Sequence, residues 1–385
     1  MINTSFSRRK FIGAVGAATG AWLARPLMSL ANTAPASRVA IGQCHSYATP
    51  EVVDALARMF DQLGGLTKLV GGKTVAIKVN LTGGATERID YQPVGVTHWT
   101  HPDVLGATIH LLGKAGARRI RLLESPQATA EPLDEFMLEA GWNPQEFTSA
   151  ATKVEFENTN YLGWGKKYSH FIVPGGGLMF DSYYLNHSYE DCDVFVSVSK
   201  MKEHGTTGMT CSMKNCFGIT PCTIYGEKAP KDEPAILPTS GRASLHNGNR
   251  QPAAPAPPEI NPSSPREGGY RVPRIVVDLV SARPIHLAVL DGIETIAGGE
   301  GPWNTKHKLI KPGVLVAGMN CVSTDAVCAE IMGFDPMAAR GTAPFETADS
   351  MLQLAEQKGL GTRDLKRIEV VGTPISKVRF NIRTA

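Results

Sequence analysis

Between residues 199 and 218 the chain places Lys200, Lys202, Lys214, His204, several hydroxyls and Gly205, Gly208 and Gly218 within twenty residues. Lysines gathered this way can hold negative charge on a ligand. Crowding by neighbouring cations lowers the pKa of one of them, which makes its amine a base or nucleophile. A histidine beside them can move a proton or bind a metal. Solvated loops also carry lysine, but Met201, Met209, Met213 and Phe217 are interleaved here and would anchor the segment against a core. The pattern therefore reads as a ligand-binding loop, with Lys202, His204 and Lys214 as candidate catalytic groups and Thr210, Asn215 and Gly218 as candidate substrate contacts.

Three other places carry chemistry of the same kind. Lys78-Val79-Asn80-Leu81 ends an apolar run and is followed by Thr82, Gly83 and Gly84, so a lysine and approachable backbone amides could meet an anion, with Lys78 catalytic and Asn80 binding. An exposed strand end with an ordinary turn would look similar. His98 and His101 stand three residues apart, and His101 precedes Pro102 at a helix start. It is a candidate substrate or metal contact, or simply a helix cap. Asp291-Gly292 and Gly298-Gly299-Glu300-Gly301-Pro302 follow a strand. A carboxylate there can hold a divalent cation, and His101, His204 and Asp291 form the candidate metal set, although Asp-Gly is also a common turn. Asp325 is a candidate ligand or base, against the plainer reading of Ser323-Thr324-Asp325 as a helix start.

What must position these groups is an alternation of strands and helices. Val39-Ala40-Ile41 and Val75-Ala76-Ile77 read as strands, and between them Pro50 leads Val52, Leu56, Met59, Phe60 and Leu63 at helical spacing. A second unit runs from Pro102, through a helix closed at Gly116, into the strand 119–123; a third helix spans 133–140. Val194 to Val198 is a buried strand. Strands at 286–290, 314–317 and 368–371 and helices at 324–332 and 345–358 complete the pattern. The reading is an α/β fold, a mostly parallel sheet with helices on both faces. In such sheets ligands sit beyond the carboxyl ends of the strands, where the candidate residues lie. Residues 227–270 break the alternation with nine prolines and read as a long Pro-rich surface insertion. A linker and a lid over a site both fit it, and the similar elements on each side favour an excursion from a single body.

Of 385 residues, 42% are hydrophobic and 19% charged, which excludes collagen, coiled coil and wholesale disorder. The formal charge of +3 comes from the first 31 residues, where Arg8, Arg9, Lys10 and Arg25 stand without an acid; the remainder is at −1, so no nucleic-acid surface is implied. Ser7-Arg8-Arg9-Lys10-Phe11-Ile12, followed by an uncharged stretch too short to span a bilayer, reads as a twin-arginine export signal over residues 1–31. The expected partners are the twin-arginine export machinery and a small anionic ligand. The mature chain is expected outside the cytoplasm, periplasmic or extracellular, with no stable membrane span. Cys211, Cys216 and Cys222 match no common zinc or ferredoxin spacing, and a disulfide, an iron-sulfur cluster and free thiols all stay open.

Taken together, Lys78-x-Asn80-Leu81, His101-Pro102, Lys200-x-Lys202-x-His204 with Thr210 and Lys214-Asn215-x-x-Gly218, Asp291-Gly292, Gly301-Pro302, and Ala317-Gly318 leading to Asp325 resemble the DUF362 proteins, a domain family of unknown function. The resemblance covers about residues 38–372, leaving 373–385 as a C-terminal tail. It implies that these dispersed residues form one site, and it implies no particular reaction. Some members resemble fusions with ferredoxin domains, but this chain has no Cys-x-x-Cys-x-x-Cys run. Three functions stand: a metal-assisted enzyme acting on a small anion, a binding or delivery protein for a metal or anion, and an iron-sulfur redox protein.

Overall fold

The computed structural model describes residues 37–385. The export-signal reading of residues 1–31 lies outside them. Eight strands form the central sheet: β1 (Ser37–Gln43), β2 (Thr74–Lys78), β3 (Arg119–Glu124), β4 (Val154–Asn158), β5 (Val194–Lys200), β6 (Leu287–Gly292), β7 (Val314–Gly318) and β8 (Ile368–Gly372). Their spatial order is β8-β1-β7-β6-β5-β2-β3-β4. Seven strands run the same way; β7 is reversed, pairing antiparallel with both β1 and β6. The sheet is thus mostly parallel, as the alternation implies.

Strands β2, β5, β6 and β7 are buried along their whole length, which is why they read as largely apolar runs. Successive residues still point to opposite faces. Val75 and Ile77 enter one core with α1 (Thr49–Gln62), α2 (Pro102–Lys114), α3 (Leu133–Glu139) and α4 (Pro144–Ala150), while Ala76 enters the other. That second core packs α5 (Cys211–Asn215), α6 (Gly268–Ala282), α7 (Cys321–Ile331) and α8 (Met351–Gln357). Helices therefore cover both faces.

Several expectations need correction. β1 and β2 are not neighbours, because β7, β6 and β5 lie between them; β2-α2-β3 is the adjacent parallel unit. Helix α7 starts at Cys321, where the Asn320 side chain accepts the Ser323 amide, and not at Thr324. Helix α8 starts at Met351, and Phe345 is a buried loop residue before it. Strand β4 and helix α6 have no counterpart in the sequence reading. The first is a short edge strand carrying charge, and the second contains Gly268, Gly269 and Pro273, which mask its periodicity.

The order of strands reverses its direction at one point, beside β2. From β2 the chain moves outward to β3 and β4, then returns to the other side of β2 as β5 and continues to β6. Loops leaving β2 and β5 diverge there, and the divergence opens a crevice at their carboxyl ends. The Pro-rich excursion folds back over this end. It contains one four-residue helix, Ala243–His246, and buries Leu245, Ala253 and Glu259. Glu259 is its clamp, accepting from Arg271 of α6 at 2.7 Å and from Arg266 at 2.6 Å.

Because Arg271 is fully buried, Glu259→Ala would leave its charge with only the Ser244 and Leu245 carbonyls and the Ser264 hydroxyl and no carboxylate. The expected loss is about 3–5 kcal/mol in urea unfolding. A loss near zero would mean that the excursion is not packed against α6.

Candidate functional site

The crevice between the β2 and β5 ends closes into a cavity of about 340 Å³. Its wall takes Lys78 and Asn80 from the end of β2, Glu124 and Ser125 from the end of β3, and His204, Thr210, Lys214, Asn215 and Gly218 from the segment after β5. Glu300 and Trp303 come from the glycine loop after β6, and Arg242 and His246 from the Pro-rich excursion.

Lys78 is wholly buried and paired. Its Nζ lies 2.6 Å from Glu124 Oε1 and donates to Asn215 Oδ1 at 3.1 Å. Burial pushes the Glu124 carboxyl up and the Lys78 amine down, and each partner's charge opposes the other's shift. The other Glu124 oxygen accepts the Leu81 amide at 3.1 Å, so one carboxylate ties β2 and β3 together. Gly218 passes directly over this pair: a Cβ there would sit 3.0 Å from both Lys78 Nζ and Glu124 Oε1, which accounts for the glycine.

Lys214 differs. Among the described residues its Nζ has no hydrogen bond or ion pair, and it lies over the Phe217 ring, 4.6 Å from the centroid. Burial, aided by the charges of Arg242 and Lys78 and opposed by Glu300, lowers its pKa to about 7. Arg242 also lacks a carboxylate. Its guanidinium donates to Thr220 O and Oγ1 and to Ser125 O, at 2.9, 2.9 and 2.7 Å. It is held at φ 54°, a conformation that costs a non-glycine residue energy.

Two neutral imidazoles complete the wall. His204 Nδ1 accepts the Thr206 amide at 3.1 Å, so its proton resides on Nε2; burial and the charges of Lys214 and Lys202 keep the ring neutral. His246 has the opposite tautomer. Its Nδ1 donates to Arg242 O at 3.2 Å, which leaves a lone pair on Nε2, and burial lowers its pKa to about 4. The wall thus offers one imidazole donor and one imidazole acceptor. Thr210 Oγ1 is buried without a hydrogen-bond partner.

Of the residues singled out from sequence, Lys78, Asn80, His204, Thr210, Lys214, Asn215 and Gly218 meet here. Four do not reach the cavity wall. Lys202 is a strut beneath it, its Nζ donating to Thr82 Oγ1, His98 O and Glu300 O, which joins three loops. His101 caps α2, its Nδ1 accepting the Asp103 amide, and its ring stacks on Tyr47 at 3.5 Å. Asp291 has both oxygens committed, one to Lys200 Nζ at 2.7 Å and the His101 amide at 2.9 Å, the other to Tyr47 and the Ile293 amide. Asp325 lies on the far side of α5 and accepts Ser212 N, Ser212 Oγ and Met213 N at 2.8, 2.6 and 2.9 Å.

The proposed metal set is therefore not assembled: His101 and Asp291 are neighbours through structural bonds, while His204 faces the cavity. Among the described residues no three His, Cys, Asp or Glu side chains converge where they could hold a metal ion. Cys211, Cys216 and Cys222 are each buried and free, so they form neither a disulfide nor a gathered ligand trio. Glu124, Arg242, His246 and Trp303 went unrecognised. Glu124 ends the apolar run of β3 as Lys78 ends that of β2, and that signal could have found it. Nothing comparable marks Arg242.

Burial pushes Asp325 up to about 7 despite its three donors. A carboxyl whose folded-state pKa exceeds its unfolded value favours the folded state most when protonated, and this contribution is lost as pH rises from about 4 to about 7. The stability advantage of the wild type over Asp325→Asn, measured by urea unfolding, is expected to narrow across that interval. A constant difference would show that Asp325 does not titrate there.

Comparison with known proteins adds a family. The family model described as "Domain of unknown function (DUF362)" matches residues 75–330. A thylakoid-associated protein, sll1697, of Synechocystis is 24% identical over 321 residues, which is 82% of this chain and 79% of that protein. Solved structures with some similarity include a Thermotoga maritima protein (13% identity, TM-score 0.37, 80% of this chain and 59% of that one). Another is the lactate racemase apoprotein of Thermoanaerobacterium thermosaccharolyticum (12%, TM-score 0.34, 71% and 54%). The chain thus spans little more than half the length of these two structures. The family match takes in β2 through most of α7 and every wall residue named above, and the chain belongs to the DUF362 family.

Proposed function

We propose that this chain is an enzyme that takes a small anionic substrate into the cavity and acts on it through the Lys214 amine. The observation that carries the reading is that Lys214 and Arg242 both line the cavity without a carboxylate partner. Buried cations left uncompensated are costly, and an anionic ligand removes that cost. Arg242 supplies permanent charge and a planar fork for a carboxylate or phosphate. The Lys214 amine is lowered to about 7, far enough for the neutral form to be accessible at neutral pH. That is a poor arrangement for an electrostatic anchor and a good one for a base or nucleophile.

His204 Nε2–H and the Thr210 hydroxyl are placed to donate to the ligand, and His246 Nε2 to accept. No step is assigned to a metal, because His101, His204 and Asp291 do not share a site. The twin-arginine leader supports an activity outside the cytoplasm. Among the described residues no helix is long and apolar enough to cross a membrane.

The rate of Lys214 modification by a water-soluble amine reagent, followed by peptide mapping, should rise with pH around a midpoint near 7. A midpoint near 10 would remove the chemical role. In a mixture of small carboxylates and phosphate monoesters, the wild type should consume a compound that Lys214→Met leaves intact. A raised melting temperature without any chemical change would instead make the chain a binding protein.

A further inference from the structure

Three lysines are buried at the carboxyl edge of this sheet and fully occupied, and a fourth, Lys214, is partly buried beside them. Lys78 is paired with Glu124 at 2.6 Å, Lys200 with Asp291 at 2.7 Å, and Lys202 serves three oxygen acceptors. Lys214 alone among them makes no polar contact with any described residue, and its amine rests against an aromatic face. We propose that Lys214 forms a covalent imine with a small molecule that carries a carbonyl next to a carboxylate, a 2-oxo acid of few carbons. This rests on the anion reading above and adds the chemical class and the bond.

A nucleophilic amine needs a lone pair that no hydrogen bond engages, which this placement provides. The neighbouring Arg242 fits the carboxylate and, as a like charge, favours the unprotonated amine. Addition to a carbonyl also needs a donor at the developing oxyanion. His204 Nε2–H and the unpartnered Thr210 hydroxyl are neutral donors on this wall. A cavity of about 340 Å³ lies at the small end of the range of ligand sites, roughly 300–1,000 Å³.

The step balances without an oxidant or reductant. The Nζ lone pair forms a bond to the carbonyl carbon, and the carbonyl π pair moves to oxygen, which takes a proton from His204. The amine gives up its two hydrogens in turn, the first restoring His204. The carbon–oxygen bond then breaks, and the oxygen leaves as water with both hydrogens. The carbon–nitrogen double bond that remains draws electrons from the adjacent carbon.

The test is reductive trapping on the purified wild-type protein with pyruvate and sodium cyanoborohydride near neutral pH, read by intact mass and peptide mapping. The expected result is a gain equal to pyruvic acid less one oxygen, located at Lys214, at least tenfold above any surface lysine, and suppressed by oxalate. Because the site is mapped in the wild type, the result does not depend on whether Lys214→Met folds. Labelling spread evenly over surface lysines overturns the proposal. If pyruvate raises the melting temperature without an adduct at Lys214, the imine is overturned and the anion reading stands. Should glyoxylate, 2-oxobutyrate, 2-oxoglutarate, oxalate and phosphate all fail to shift the melting temperature, with no adduct formed, both readings fall.

Discussion

The site depends on a buried carboxylate that has no cation beside it. Asp325 takes two backbone amides and a hydroxyl at the start of α5, and so fixes a helix of only five residues that could not stand alone. That helix presents Lys214 and Asn215. Asn215 in turn accepts from Lys78 and donates to Ser197 of β5, Lys78 pairs with Glu124, and Glu124 accepts the Leu81 amide. The chain of contacts crosses three adjacent strands. Every member is satisfied by the next, which holds the wall in one geometry before any ligand arrives.

Charge is arranged with equal economy. Buried lysines that only hold the structure together are matched with carboxylates or with three oxygen acceptors. Among the described residues that line the cavity, Lys214 and Arg242 are cations without an ion-paired carboxylate. Two neutral histidines of opposite tautomer flank this charge without adding to it. The result is a pocket with a cationic wall that also carries an imidazole donor and an imidazole acceptor.

Much of this was legible in the residues. Strands β2, β3, β5 and β6 are buried on both faces, so their apolar runs stand out, and the rule that ligands gather at strand ends pointed to Lys78, His204 and Lys214. The direction of β7 was not legible, since a short apolar run carries no mark of whether its neighbours run with it or against it. Asp325 was ambiguous because an acid in a first helical turn is ordinary; only the packing of α7 under α5 reveals that it serves another helix. Arg242 and His246 were invisible for a different reason. They lie in a segment without periodicity, and their place on the wall is set by contacts remote in sequence, Arg242 to Ser125 and Thr220 and Arg271 to Ser244, Leu245 and Glu259, which have no signature in the order of residues.

The Pro-rich excursion has a consequence for how such a protein can change. Its inner residues touch the cavity, and its fastenings run to α6 through Glu259 and Arg271 and to the loops at Ser125 and Thr220 through Arg242, with no strand of the sheet contributed by the excursion itself. Replacement, lengthening or shortening of the stretch between those two anchorages leaves strand register untouched while it reshapes one side of the chamber. One flank of the chamber can therefore vary in length and composition while the strand ends that carry Lys78 and Glu124 keep their places.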